Sequence, residues 1–219
     1  KHYECKVIVS TFKNFLFEKS YPELEFVGRG VAVNDIIGMF EIGWYWDKQK
    51  EPVNPILIPL QQSASNTLHI PHREIVPIID FTPKERPIQE KYVCISMYST
   101  SQCKLWYYWQ DVINFLISQG YKVLEISKEN DMMGQRTSDL KGISELEDKS
   151  IENTMNTIYH SDFFIGLSSG LSWLSYALRK RVYLISNFTN KEHEFTINTI
   201  RFYDESICNS CWNNPKFRF

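Results

Sequence analysis

The stretch that decides the fold is residues 162–186, DFFIGLSSGLSWLSYALRKRVYLIS. Its first residues favour a strand over 162–165, small residues at 166–170 predict a turn, and residues 182–185 predict a second buried strand. Between the turn and the second strand, apolar residues recur at helical spacing. Two parallel strands joined by a helix place the turn at the carboxyl edge of a sheet, where open α/β folds bind ligands. Unpaired N–H groups and the positive dipole end at the start of this helix suit an anion.

The composition predicts a soluble globular protein with enough apolar mass for one large domain or two small ones, since 43% of its 219 residues are hydrophobic. The formal charge is −2 with basic and acidic residues interspersed, which predicts neither a nucleic-acid-binding nor a membrane-binding surface. No apolar run reaches the roughly 18 residues of a membrane-spanning helix. The chain begins Lys-His-Tyr without Met or a signal-peptide pattern, and we interpret it as a fragment or a processed chain.

The cysteines favour a reducing, cytoplasmic location, because there are five of them and Cys94 lies in an apolar run that predicts a strand. Cys208 and Cys211 form a C-x-x-C pair, which is typical of half of a tetrahedral thiolate site or of a redox dithiol. Cys5, Cys94 and Cys103 are poorly placed to complete such a site, since Cys103 is predicted at the opposite part of the sheet edge. Two free thiols are the alternative.

Prolines predict a boundary between two domains. They occur at positions 71, 77, 83 and 87, and they predict an extended linker over residues 70–86. We assign residues 1–86 to one domain with its linker and residues 87–219 to a second domain. In the first domain the predicted elements are strands at 5–9 and 26–27, helices at 11–19 and 60–68, and a segment at 34–40 that suits either structure.

Strands and helices alternate in the second domain. The predicted strands are 92–96, 121–126, 162–165 and 182–185, and the predicted helices are 109–118, 151–159 and 171–179, with a polar loop at 129–148. This alternation predicts an α/β fold with a doubly wound parallel sheet. The turns that follow the strands then lie along one edge of the sheet, at 99–104, 127–131, 166–170 and 186–190.

Two of these turns suit a diphosphate. The first follows a strand and offers hydroxyl groups, an amide and one flexible cation, on Thr100, Ser101, Gln102 and Lys104. A solvated turn with a surface lysine is the alternative interpretation. The second turn leads into a helix and offers amides and hydroxyl groups on Ser168, Ser169, Gly170, Leu171 and Ser172.

The second turn also matches the G-x-S-x-G nucleophile elbow of serine hydrolases, with Ser168 as the nucleophile. A hydrolase of that fold carries an acid and then a histidine downstream. Here the only later histidine is His193, and Asp204 follows it, so the order is reversed and the spacing is short. The hydrolase is therefore an alternative to a ligand-binding turn or a structural one.

Acidic residues after two strands are candidates for binding ligand hydroxyl groups. Glu125 ends the second predicted strand of this domain, where nucleotide-binding folds commonly use an acid to hold a ribose. Glu192, His193 and Glu194 follow a later strand, and adjacent residues on a loop make poor joint metal ligands. Solvated charge is the expectation for these three residues, although one carboxylate can reach a ligand hydroxyl group.

Several short segments, in their order along the chain, resemble the bacterial autotransporter O-heptosyltransferases, which belong to the heptosyltransferase group of GT-B glycosyltransferases. The segments are YVCI at 92–95, STSQCKLW at 99–106, GYKV at 120–123, FIGLSSGLSWL at 164–174, VYLIS at 182–186, EF at 194–195 and CNSCWN at 208–213. The resemblance covers residues 87–215 and extends loosely to the helix at 60–68. It implies a GT-B-like fold in which 87–219 bind the nucleotide sugar and 1–86 are the tail of the acceptor-side domain.

The resemblance also implies an activity, the inverting transfer of a heptose or related sugar from ADP-heptose to serine hydroxyls of an autotransporter adhesin. Lys104 is then the diphosphate stabiliser, with Ser101, Gln102 and the helix start at 169–172 beside it, and no divalent metal is needed at the diphosphate. Glu125 is the ribose candidate. Related enzymes work in the cytoplasm and form large homo-oligomers, which we expect here as well.

Two features of that family are incomplete in this sequence. The general base is an aspartate in an upstream glycine-containing motif that nothing here matches, so we expect the base to lie outside this chain. The family's finger of four cysteines holds iron, and Cys208 and Cys211 correspond to its first pair, which implies one iron or zinc ion on a finger half present here. A non-catalytic nucleotide- or metal-binding module is a further alternative.

Overall fold

The computed structural model describes residues 4–42, 58–99, 102–129, 131–132 and 135–211. The chain divides into two compact units, Lys1–Thr82 and Pro83–Phe219. The predicted division assigned 1–86 to an acceptor-side domain with its linker and 87–219 to nucleotide-sugar binding, and these assignments stay predictions.

The first unit contains two short parallel strands and one α-helix. Strands β1 (Ile8–Ser10) and β2 (Glu25–Val27) pair in parallel, and helix α1 (Leu60–Thr67) begins directly after Pro59, as predicted. The predicted helix at 11–19 is wrong, because only a 3₁₀ turn forms at Asn14–Leu16. The segment at 34–40, which suited either structure, is neither helix nor strand.

The side chain of Asn14 explains why the predicted helix does not form. Its Oδ1 accepts a hydrogen bond from the Thr11 backbone N–H (3.2 Å), and its Nδ2 donates to the Val27 carbonyl (3.0 Å). Such side-chain bonds compete with helical ones. The proline-rich segment at 70–86 forms neither helix nor strand. Asp80 ties it to this unit by accepting from the Lys19 N–H (2.6 Å) and the Ser20 hydroxyl (2.5 Å).

The second unit is built on a six-stranded parallel sheet with the strand order β10-β9-β8-β3-β4-β7. Its strands are β3 (Tyr92–Ser96), β4 (Lys122–Glu125), β7 (Ile143–Glu145), β8 (Phe164–Leu167), β9 (Val182–Ile185) and β10 (Thr199–Phe202). The helices are α2 (Trp109–Ser118), α3 (Ile151–His160) and α4 (Gly170–Ala177). A small antiparallel ribbon pairs β5 (Asp131–Met132) with β6 (Gln135–Arg136). The predicted α/β fold with a doubly wound sheet is confirmed.

Helices cover both faces of the sheet. The hydroxyl group of Tyr92 donates to the Thr157 carbonyl of α3 (2.8 Å), so that one face of β3 meets α3. The alternate residues of β3 point to the opposite face and pack under α2. The core on the α2 side comprises Val93, Ile95, Met97, Tyr98, Trp109, Ile113, Leu116, Val123, Ile165 and Leu167.

Two strands at the sheet edges were not predicted. The predicted polar loop at 129–148 contains β7, which pairs with β4 at one edge of the described sheet, and β10 at the other edge was not predicted. Both strands are short and lack a continuous apolar run, since β7 reads Ile-Ser-Glu and β10 reads Thr-Ile-Arg-Phe, and their side chains are partly exposed at the sheet edges. The helix at 109–118 ends as predicted, with Gly120 at a positive φ of 80°.

Candidate functional site

The turn between β8 and α4 opens toward the carboxyl edge of the sheet. Gly166 and Leu167 belong to β8, so the turn itself is Ser168 and Ser169, shorter than the predicted 166–170. Ser169 is the N-cap of α4, yet its side chain accepts no hydrogen bond from the helix, and its Oγ is buried with no hydrogen-bond partner. Gly170 is exposed, and an added Cβ there would meet no atom within 4 Å. The start of α4 is therefore open, with one buried polar atom unsatisfied.

The remaining residues of this turn hold α4 close to β8. The Ser172 hydroxyl donates to the Leu167 carbonyl (2.5 Å), so that group closes the turn. Gly166 permits this approach, because an added Cβ would lie 2.6 Å from the ring of Phe164 and 3.2 Å from the Ser172 Oγ. Leu171 is half-buried and its carbonyl accepts from the Ser175 hydroxyl (2.8 Å). The predicted ligand contacts of Leu171 and Ser172 stay predictions.

Lys104 lies next to this turn. It ends a 3₁₀ helix at Gln102–Lys104, and its Nζ donates to the Ser168 carbonyl over 3.2 Å. Burial lowers the pKa of the Lys104 ammonium, while the nearby Glu194 carboxylate acts in the opposite direction. The sequence-predicted Thr100 and Ser101 lie outside the described residues, and of Gln102 only the backbone is described.

The place where these residues meet follows from the strand order. The chain leaves β3 for β4 on one side, while β8 lies on the other side of β3. In open α/β sheets a crevice forms at such a reversal, outside the carboxyl ends of the strands, and ligands bind there. Lys104 follows β3 and Ser168 follows β8, so the two predicted diphosphate turns meet at the reversal point.

A mostly apolar cavity of 820 Å³ extends from Lys104 and Ser168 along one face of the sheet. Its lining includes Trp106, Phe115, Phe163, Ile165, Tyr183, Phe188, Phe202 and Tyr203. Few polar groups border it, and those lie at the carboxyl edge, where Ser186, Asn187 and Asp204 also contribute.

Glu125 is fully buried at the carboxyl end of β4. One carboxylate oxygen accepts from the Ser127 N–H (2.6 Å) and the other from the Met97 N–H (3.2 Å). Burial raises the pKa of this carboxyl group to about 7, although both hydrogen bonds act to lower it. Glu125 thus joins the ends of β3 and β4, and its predicted contact with a ribose stays a prediction.

The expectation of solvated charge at 192–194 is wrong for two of the three residues. His193 is 6% exposed and Glu194 is 2% exposed, whereas Glu192 is half-buried. The Glu194 carboxylate forms an ion pair with Arg201 of β10. Burial lowers the pKa of His193, and the positive charges of Arg201 and Lys104 act in the same direction. Arg201 was missed because β10, the strand that carries it, was not predicted.

The cysteine pair fits part of a metal site. The Sγ atoms of Cys208 and Cys211 are 3.9 Å apart, close to the roughly 3.8 Å between two thiolates bound tetrahedrally at about 2.3 Å. Within the described residues, no group of three or more His, Cys, Asp and Glu side chains has an arrangement for a metal ion. Burial raises the pKa of the Cys211 thiol, and Cys208 and, to a smaller extent, Cys103 act in the same direction. The predicted position of Cys103 away from this pair stays a prediction.

The part of the chain that the structure describes contains no helix long and apolar enough to cross a membrane.

The fold and the site define an α/β domain with an open helix start and a lysine at the reversal point of the sheet. The chain belongs to glycosyltransferase family 9 (heptosyltransferase), whose sequence profile matches residues 39–218. This membership supports the transferase interpretation over the serine hydrolase alternative.

The curated relatives are autotransporter heptosyltransferases. The chain is 33% identical to Aah of Escherichia coli, over 100% of this chain and 58% of Aah, and 32% identical to TibC of E. coli O78:H11, over 93% and 52%. It is also 28% identical to BimC of Burkholderia thailandensis, named an inactive autotransporter heptosyltransferase, over 93% and 50%. The chain therefore spans about half the length of the curated relatives it matches.

Two solved structures of TibC match the whole chain. The iron-containing dodecameric glycosyltransferase TibC from enterotoxigenic E. coli aligns with a TM-score of 0.90 and 28% identity over 59% of that chain. TibC in complex with ADP-D-beta-D-heptose aligns with a TM-score of 0.88 and 30% identity over 60% of that chain. The resemblance to the autotransporter heptosyltransferases is thus confirmed, as is the GT-B-like fold.

Proposed function

We propose that this chain carries the donor-binding part of a heptosyltransferase, with the diphosphate of ADP-heptose held between Lys104 and the start of α4. The observation that carries this proposal is the 3.2 Å contact of the Lys104 Nζ with the Ser168 carbonyl, directly before a helix start whose Ser169 Oγ is buried and unpartnered. A helix start and a lysine together supply amides and a point charge, which are the groups that bind phosphates. The TibC complex with ADP-D-beta-D-heptose supports ADP-heptose as the donor.

The chemistry of such a transfer requires charge stabilisation at the diphosphate. The acceptor hydroxyl oxygen attacks the anomeric carbon with inversion, the bond from that carbon to the phosphate oxygen breaks, and ADP leaves with the electron pair. The Lys104 ammonium and the α4 amides stabilise the negative charge that develops on ADP. This scheme uses no divalent metal at the diphosphate, and it assigns no described residue as the base that takes the acceptor proton.

The acceptor, the assembly and the location extend this proposal. The names of the relatives support serine hydroxyls of an autotransporter adhesin as the acceptor, and the dodecameric TibC supports a homo-oligomer. Cys208 and Cys211 would supply two thiolates to one iron or zinc ion, a structural site of the kind that stabilises a finger. The cysteine usage supports a cytoplasmic location, and residues 1–86 would belong to the acceptor-side domain.

Calorimetric titration with ADP-heptose, ADP, UDP and GDP tests the donor site. We expect ADP-heptose and ADP to bind and the other two nucleotides to bind more weakly. Replacing Lys104→Met removes a charge-assisted contact, which contributes about 1.5–3 kcal/mol, so ADP affinity should fall about tenfold to a hundredfold. The matched control is Lys128→Met, because Lys128 is an exposed lysine after β4 at the same sheet edge.

A different result would change the assignment. Preference for UDP would point to another group of sugar transferases, and equal affinity of the Lys104 and Lys128 variants would contradict the proposed diphosphate site. BimC carries the name of an inactive enzyme, which makes a non-catalytic donor-binding module the second candidate. Donor binding without heptose transfer by the complete protein, supplied with an adhesin acceptor, would favour that candidate.

A further inference from the structure

A buried ion pair organises the connection between β9 and β10. The side chain of Glu194 is fully buried, and that of Arg201 is 13% exposed. One Glu194 oxygen pairs with the Arg201 guanidinium, and the other accepts from the Thr189 hydroxyl (2.6 Å). Both carboxylate oxygens therefore have protein partners, so Glu194 is not available for direct contact with a ligand.

Arg201 fixes both ends of the turn that begins this connection. Its Nη2 donates to the carbonyl and the hydroxyl oxygen of Ser186 (3.3 and 3.1 Å) and to the carbonyl and the hydroxyl oxygen of Thr189 (3.1 and 3.0 Å). The two hydroxyl groups also bond to each other over 2.6 Å. A single guanidinium thus holds residues 186–189 in one conformation, which a lysine could not do with a point charge.

Phe188 lies inside this turn and contacts the donor-site lysine. Its ring centroid is 5.9 Å from the Lys104 Nζ, which is within the range of a cation–π interaction. Phe188 and Lys104 also line the same cavity. The turn that Arg201 holds therefore carries a ring within cation–π range of Lys104.

We propose that Glu194 and Arg201 are positioning residues for donor binding, since their buried pair holds the 186–189 turn and, through Phe188, orients the Lys104 ammonium toward the diphosphate. This inference rests on the proposed function. In this arrangement the carboxylate of Glu194 has a second effect, because its negative charge favours the protonated state of Lys104 in a partly desolvated site.

The charges around Lys104 set the expected pH dependence. Glu194 and Cys103 act to keep Lys104 protonated. Arg201 pairs with Glu194, His193 interacts with both Glu194 and Lys104, and Asp204 borders the same cavity. If Glu194 loses its charge, Lys104 loses its proton at a lower pH. The ADP affinity of Glu194→Gln should then decline at a lower pH than that of the unsubstituted protein, an effect that a purely structural role would not produce.

The experiment is calorimetric titration with ADP, over a range of pH, of Glu194→Gln, Arg201→Lys and Phe188→Leu. We expect about tenfold weaker binding for the first two variants, and about threefold to tenfold weaker binding for Phe188→Leu, which keeps the ion pair and removes only the ring. The matched control is Lys191→Met, which breaks an exposed ion pair with Glu205 on the same connection and should bind ADP normally.

The outcomes separate this inference from the proposed function. Failure of the unsubstituted protein to bind ADP would contradict both the proposed function and this inference. Normal ADP binding that requires Lys104 but is unchanged in Phe188→Leu and Arg201→Lys would overturn the inference alone. If Glu194→Gln does not fold because the Arg201 charge is left unpaired, Phe188→Leu decides the question, since it leaves the buried pair intact.

Discussion

The Lys104 ammonium and the Ser168 carbonyl oxygen are 3.2 Å apart, although the two residues are separated by 64 positions in the sequence. Lys104 follows β3 and Ser168 follows β8. These two strands are neighbours because the chain continues from β3 to β4 on one side of the sheet and later places β8 on the other side of β3. The contact brings the cation to the open start of α4. It is the geometric basis for the proposed diphosphate site.

The two serine N-caps of the second unit should respond differently to alanine. Ser150 caps α3 by accepting from the Asn153 N–H, so Ser150→Ala should lower the free energy of unfolding by about 1 kcal/mol. Ser169 makes no such bond, so Ser169→Ala should cost less stability and instead weaken ADP binding. Urea unfolding and calorimetric titration of both variants provide the test. The opposite pattern would show that Ser169 is a structural cap.

Two glycines flanking the turn should differ in their tolerance of a methyl group. In Gly166→Ala the new Cβ would meet the Phe164 ring at 2.6 Å, and we expect a loss of about 1–3 kcal/mol in the free energy of unfolding. Gly170→Ala adds a Cβ into open space at the start of a helix and should be neutral or stabilising by up to about 1 kcal/mol. Equal stability of the two variants, measured by urea unfolding, would contradict the close packing of Gly166 against the Phe164 ring and the Ser172 hydroxyl.

Glu125 should make the protein less stable as the pH rises from about 4.5 to 7. Its pKa in the folded state is about 7, above the ordinary value of 4.5, so over this range the unfolded state has released the proton that the folded state still holds. This contribution to stability is fully present below pH 4.5 and is lost as the pH passes 7. Urea midpoints at pH 5 and pH 8 should differ less in Glu125→Gln than in the unsubstituted protein. An unchanged difference would mean that the carboxyl group titrates normally.

Bound metal should depend on the cysteine pair. We expect the purified protein to hold iron or zinc, and Cys208→Ser and Cys211→Ser each to hold less of it, because two thiolates are part of the proposed site. Cys5→Ser is the matched control, since Cys5 is an exposed cysteine of the other unit. Elemental analysis by mass spectrometry measures the metal content. Equal metal content in all three variants would exclude this pair as ligands.

The sequence by itself determined the family, the four central strands and the three helices of the second unit. Strand β9 has the predicted bounds, and α2 has the predicted bounds with Gly120 closing it, because period and turn chemistry are local properties. The order of the short segments that resemble the autotransporter O-heptosyltransferases is also visible in the sequence alone. The predicted helix at 11–19 does not form, and part of the reason is not local, since Asn14 bonds to Val27 of strand β2.

Only the tertiary structure decided which of the candidate residues meet. Lys104 contacts Ser168 because β3 and β8 are adjacent strands. Glu194 is buried with an ion-pair partner because strand β10, which was not predicted, carries Arg201. Neither fact follows from spacing along the chain. Strand order and edge pairing depend on contacts between distant segments, and these contacts set the burial and the charge of each site residue.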